Sequence, residues 1–159
     1  MAQGKTNAMR ILDSKKVRYE LITYENQDGK IDGVSVAEKI QKDLQEVYKT
    51  LVAHGNSKQI YVFIIPVEAE LDLKRAAKAA GEKKIEMIAV KDIQKLSGYI
   101  RGGCSPIGMK KQYPSFIDKQ ALELETIIVS GGKIGIQVEL AVEDLTNVIQ
   151  AELADICKD

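Results

Sequence analysis

The chain is short of the residues that most hydrolytic chemistry depends on. Among 159 residues it has one histidine, His54, and two cysteines, Cys104 and Cys157. A lone histidine cannot build a His-rich metal centre, so a zinc hydrolase is nearly excluded. The cysteines are far apart, match no metal-ligand spacing, and are not expected to pair in a reducing compartment. A Ser-His-Asp triad or a thiol enzyme would have to recruit His54, which sits in the turn-like stretch "AHGNSK". No apolar run approaches the ~20 residues that a membrane span needs. The opening "MAQGKTNAMRIL" lacks an apolar signal region with a small-residue cleavage site. The expectation is a cytoplasmic protein with no membrane partner. No G-x-G-x-x-G follows a first strand and no Walker loop occurs, which disfavours a doubly wound nucleotide fold. Charge excess is also missing: 23 Lys and Arg balance 23 Asp and Glu. No repeat, linker or low-complexity segment divides residues 1–159, which read as one domain.

What is present is an alternation of short helices and strands. Thr6 or Asn7 can cap a first helix in "TNAMRILDSKK". "VRYELITY" reads as a strand, "ENQDGKIDG" as a polar turn, and "SVAEKIQKDL" as a helix opened by the pair Ser35 and Glu38. "VYKTLVAHG" and "QIYVFIIP" form two strands around a turn. Asp72 and Gly81 bound a helix in "LDLKRAAKAAG". "KIEMIAV" suits a short strand, "KDIQKLSG" a helix, "SFID" a strand and "KQALEL" a turn. "ETIIVSGGKIGIQVEL" predicts a hairpin about Gly131–Gly132, and "AVEDLTNVIQAELADI" a closing helix. Hairpins outnumber βαβ units, so the expected fold is α/β with a mixed, mostly antiparallel sheet.

Three features carry chemistry. In "VYKTLV", alternation puts Lys49 on the side of Val47 and Leu51, where it either snorkels at a sheet edge or lines a cavity. In "RGGCSPIGMKK", the bare backbone of Gly102 and Gly103 allows an amide to approach an oxyanion. Cys104 between Gly103 and Ser105 reads as a small packing residue rather than a nucleophile. "VSGGK", with Ser130 and Gly131, is either a second such loop or an ordinary hairpin turn. A basic run, Lys74, Arg75, Lys78, Lys83 and Lys84, with Lys110 and Lys111 beyond it, is either a solvated face or a set of phosphate contacts.

Together "VYKTLV", "LDLKRAAKAAGEKKIEM", "GYIRGGCSPIGMKK" and "LETIIVSGGKIGIQVEL" resemble, in order and spacing, the YbaK/EbsC family. These are freestanding relatives of the editing domain inserted in bacterial prolyl-tRNA synthetases. The resemblance implies a β-barrel-like mixed sheet with a small pocket and no cofactor or metal. It implies hydrolysis of mischarged aminoacyl-tRNA, chiefly cysteine on proline tRNA. The alternatives are Ala- or Ser-tRNA as substrate, or a non-catalytic module binding tRNA or the synthetase. On this resemblance Lys49, Gly102 and Gly103 are catalytic. Tyr24, Thr50, Ser105, Ser130 and Gly131 bind substrate, and the seven cations above contact the acceptor stem. Cys104 falls where an aliphatic residue is usual, and Gln137 where polar residues vary. Prolyl-tRNA synthetase is a further implied partner of a monomer or weak homodimer.

Overall fold

The computed structural model describes residues 4–159. In chain order its first elements are α1 (Asn7–Ser14), β1 (Tyr19–Thr23), α2 (Gly33–Lys39), β2 (Tyr48–Gly55), β3 (Ile60–Pro66) and α3 (Leu73–Ala80). Then follow β4 (Ile85–Met87), α4 (Val90–Ser97), β5 (Ser115–Asp118), β6 (Thr126–Lys133), β7 (Ile136–Ala141), α5 (Val142–Ile149) and β8 (Glu152–Ala154). One sheet has the order β1-β7-β6 and is antiparallel throughout. The other, β4-β2-β3-β5-β8, is antiparallel up to β3 and parallel beyond it. Among the described residues no helix is long and apolar enough to cross a membrane.

The mixed, mostly antiparallel α/β architecture is the expected one. The sheets meet at a single parallel bridge, Val47 with Ile128, and do not close into a barrel. The main core lies between them, around Tyr48, Ile64, Ile117, Val129, Val138 and Leu145. A second core under α3 is centred on Phe63 and Phe116, stacked with ring centroids 5.6 Å apart. A small third cluster, Ala37, Val47, Val67 and Ile128, seats α2 over the junction.

Four local expectations are corrected. Ser35 and Glu38 do not open α2; Asp32 does, accepting from the Ser35 N–H at 3.1 Å and the Ser35 hydroxyl at 2.7 Å. A carboxylate is the stronger acceptor for a helix N-terminus. The hairpin turns at Ile134–Gly135, not at Gly131–Gly132. Those two glycines lie inside β6 at a bulge between Ser130 and Lys133, where the Gly132 N–H donates to Ser130 Oγ at 3.2 Å. The closing helix stops at Ile149, because Gln150 takes a left-handed φ of 52°, and the chain returns as β8 beside β5. "KQALEL" forms a short 3-10 helix, Lys119–Glu123, rather than a bare turn.

The β2–β3 hairpin is anchored by Glu82, which accepts from the Ser57 hydroxyl at 2.5 Å and the Tyr61 hydroxyl at 2.6 Å. These bonds, Ser57 first, hold its carboxyl below its ordinary 4.5. A lowered folded-state value stabilises the fold above the unfolded value and loses that contribution as pH falls through the folded one. Glu82→Gln should therefore flatten the acid limb of stability below pH 4.5, read as the urea midpoint against pH.

Candidate active site

At the junction the first half of β2 has a free edge, because β4 pairs only with Ala53–Gly55. The Val47 carbonyl accepts from Val67 on the β3 side, and the Val52 carbonyl accepts from Ile88 on the other. In an antiparallel strand alternate residues turn both main-chain groups the same way. Past the Val47–Ile128 bridge, Thr50 therefore points N–H and C=O away from β3, across the open edge.

A cavity of about 620 Å³ occupies the space beyond that edge. Its size lies in the ordinary range of roughly 300–1,000 Å³ for small-molecule sites. Val34, Val36, Val47, Leu51 and Val67 give it an apolar side. Lys49, Thr50, Ser130, Gln137, Asp32 and Arg101 supply polar groups. Gly102 and Cys104 form the opposite wall. The hydroxyls of Tyr48 and Thr50, which both line the cavity, are buried without a hydrogen-bond partner. Among the described residues Lys49 forms no ion pair. Asp32 is the acidic lining residue, and its bonds to the Ser35 hydroxyl and N–H hold it below the usual carboxylate range. No three His, Cys, Asp or Glu side chains come together as a metal site among the described residues.

Of the expected site residues, Lys49, Thr50, Gly102 and Ser130 meet at the cavity; Gly103, Tyr24, Ser105 and Gly131 do not line it. Gly103 donates its N–H to the Ile100 carbonyl at 2.9 Å, so that amide is not free to face an oxyanion. Its role is steric: a Cβ there would lie 2.9 Å from the Ile134 nitrogen. Gly102 has φ 88°, and a Cβ on it would lie 2.7 Å from Ile31 Cδ1. Tyr24 sits behind the cavity, its ring 5.8 Å from Lys39 Nζ. That ammonium donates to the Glu25 and Lys30 carbonyls and to Asp28, so this group fastens the loop carrying Gly29 and Ile31 to the mouth. Ser105 Oγ accepts from the Ile107 N–H at 3.2 Å inside the protein. The Gly131 carbonyl accepts from the Thr6 hydroxyl at 2.5 Å on the α1 side.

None of the seven basic-run residues lines the cavity. Arg75 is held by Asp159 at 3.0 Å, Asp155 at 3.6 Å and Asp72 at 3.9 Å, and Lys84 by Glu86 at 2.8 Å. His54 belongs to β2, not to a turn, with Nδ1 3.0 Å from the Gly55 carbonyl oxygen and Nε2 3.7 Å from Glu86. Sequence reasoning missed Asp32, Arg101, Tyr48 and the segment from Gly29 to Val36. That segment carries only turn-like composition, and no local pattern marks it as a cavity wall.

Comparison with known proteins places this geometry. The model of the aminoacyl-tRNA editing domain matches residues 32–148. The chain belongs to the aminoacyl-tRNA editing domain family. It is 45% identical over 154 residues, 97% of this chain and 94% of the relative, to EbsC of Enterococcus faecalis, a candidate Cys-tRNA(Pro)/Cys-tRNA(Cys) deacylase. It is 23% identical to YwhH of Bacillus subtilis, over 77% of this chain and 78% of that one. The same fold occurs in the crystal structure of a candidate trans-editing enzyme for prolyl-tRNA synthetase, at TM-score 0.83 and 19% identity, covering 99% of this chain and 100% of that one.

In this editing domain, burial pushes the Cys104 thiol up to about 11, and burial followed by a hydrogen bond to Asp118 pushes Cys157 up to about 12. Both are neutral thiols near pH 7.5, and the thiolate is the reactive form. Iodoacetamide at that pH should label neither residue appreciably in the native protein and both in urea, as mass spectrometry would read. Gly102→Ala should lower folding stability by about 1–3 kcal/mol, the cost of a left-handed non-glycine residue, measured by urea denaturation.

Proposed function

We propose that this protein is a freestanding aminoacyl-tRNA deacylase whose main substrate is cysteine esterified to proline tRNA. The supporting observation is a half-open cavity that joins Lys49 and Gly102 but brings up no ionised thiol and no imidazole. Such a site binds and polarises; it does not attack. The kinship with EbsC, named for Cys-tRNA, supports the substrate. Prolyl-tRNA synthetase, which generates the mischarged product, is the partner this reading implies.

In the mechanism the terminal adenosine enters the cavity. The Lys49 ammonium and the Gly102 N–H, which makes no backbone bond among the described residues, hold the ester carbonyl as negative charge develops on its oxygen. Gly103 contributes loop shape, not an amide. The substrate's own thiol attacks the carbonyl carbon and the bond to the ribose oxygen breaks. The thiol proton passes to that oxygen, and a cyclic thiolactone leaves for hydrolysis by water. The competing route has the vicinal ribose hydroxyl direct a water to the same carbon.

Lys49→Ala should lower kcat/KM for Cys-tRNA by roughly a hundredfold or more, the usual scale for a lost oxyanion partner. A panel of Cys-, Ser- and Ala-tRNA on one acceptor separates the two routes. The thiol route requires fast turnover of cysteine alone with a transient thiolactone. Equal rates on all three would remove it, and no turnover of any would remove the deacylase assignment.

A further inference from the structure

Three cations, Arg101, Lys30 and Lys133, are carried on segments at or next to the cavity walls. Arg101 is exposed and lines the cavity. Lys30 lies between two lining residues, Gly29 and Ile31, in the loop that Lys39 fastens through the Lys30 carbonyl at 3.0 Å. Lys133 sits at the hairpin turn whose backbone abuts Gly103: a Cβ on that glycine would come within 3.0 Å of Lys133 Cα. The three side chains arise from three separate segments, are exposed, and form no ion pair among the described residues. The nearby carboxylates are already engaged, Asp28 by Lys39 at 2.7 Å and Asp32 by Ser35. The α3 run differs in place: none of its residues lines the cavity or adjoins a lining residue in the chain, and two of its cations, Arg75 and Lys84, are neutralised by carboxylates.

We propose that Arg101, Lys30 and Lys133 form a collar that grips the sugar–phosphate backbone of the single-stranded acceptor end, and that the α3 run does not. This rests on the deacylase reading for its substrate. An adenosine seated in the cavity places the phosphates of the preceding nucleotides at its mouth. Guanidinium and ammonium groups standing free there meet those phosphates without first breaking an ion pair. Contacts of this kind position a nucleic acid without reading its bases. The collar therefore selects for a single-stranded end, and the cavity for what that end carries.

The test uses the whole protein with R101Q, K133Q, the triple variant R101Q/K133Q/K30Q and, on α3, K74Q/K78Q. Fluorescence anisotropy follows an uncharged, labelled single-stranded RNA ending in CCA across a salt series. Each collar substitution should weaken binding about three- to tenfold at low salt and reduce the log–log salt slope by ~0.7. In parallel, kcat/KM is compared for Cys-tRNA and for the cysteinyl ester of adenosine, which lacks phosphates. The wild-type preference for Cys-tRNA should fall with each collar substitution. The proposal is overturned if the triple variant binds the RNA within twofold of wild type with the same slope, or if K74Q/K78Q takes the larger loss. Should the wild type hydrolyse neither ester, the deacylase reading falls, while the RNA titration still decides the collar.

Discussion

The fold turns on one short contact, where Val47 bridges Ile128 and the Ile128 N–H donates to the Glu46 carbonyl at 3.0 Å. β2 and β6 meet only at that bridge and then part. β6 is thrown off course by its bulge at Ser130–Lys133, and β4 arrives only for the far end of β2. A ladder continuing past the junction would have consumed the main-chain groups of Thr50. An open sheet would have given them to bulk water. Here they border a cavity, two of whose lining residues, Tyr48 and Thr50, carry buried, unpartnered hydroxyls. A buried hydroxyl without a partner costs about 1–3 kcal/mol, which a ligand's polar atoms can recover.

The opposite wall is set by exclusion of side chains. Gly102 needs its left-handed backbone and has Ile31 against it; Gly103 has the hairpin backbone against it. Two contacts thus lock the loop to two other segments, the one entering α2 and the turn after β6. That locking fixes the distance between Lys49 on β2 and the Gly102 amide across the cavity. Oxyanion donors act in proportion to how little they must move, so on the proposed mechanism the steric role of Gly103 would serve the reaction without contributing a hydrogen bond.

The strands and helices with strong local signals were legible in the sequence. Asp72 and Gly81 delimit α3 as their chemistry demands, and the alternation of "VYKTLV" places Lys49 among apolar neighbours at a cavity. Where reading failed, a partner outside the quoted pattern decided. Asp32 outcompeted the Ser35–Glu38 pair as cap, the β6 bulge displaced the turn from Gly131–Gly132 to Ile134–Gly135, and pairing with β5 ended the last helix early. The site shows the same division. Lys49 and Gly102 announce themselves by residue type. Asp32, Arg101 and the Gly29–Val36 wall matter through where the chain brings them, and a turn-like string such as "ENQDGKIDG" carries no trace of that.

The lack of a protein nucleophile is consistent with the energetics of the bond at issue. An aminoacyl ester is far more labile than an amide, so a positioned cation and one backbone donor, each worth roughly a factor of a hundred or more, go far towards the required rate. A nucleophile carried by the substrate adds the advantage of an intramolecular reaction, which can reach effective molarities of about 10⁵ M or higher when well oriented. It also changes how discrimination works. A pocket that separates cysteine from serine or alanine by size alone has about 1–3 kcal/mol to use. A pocket that leaves the attack to the side chain's own sulfur rejects alanine, which has none, and slows serine, whose hydroxyl ionises far less readily. The apolar side formed by Val34, Val36, Leu51 and Val67 then need only admit a small residue, and a neutral Cys104 nearby does not compete for the carbonyl.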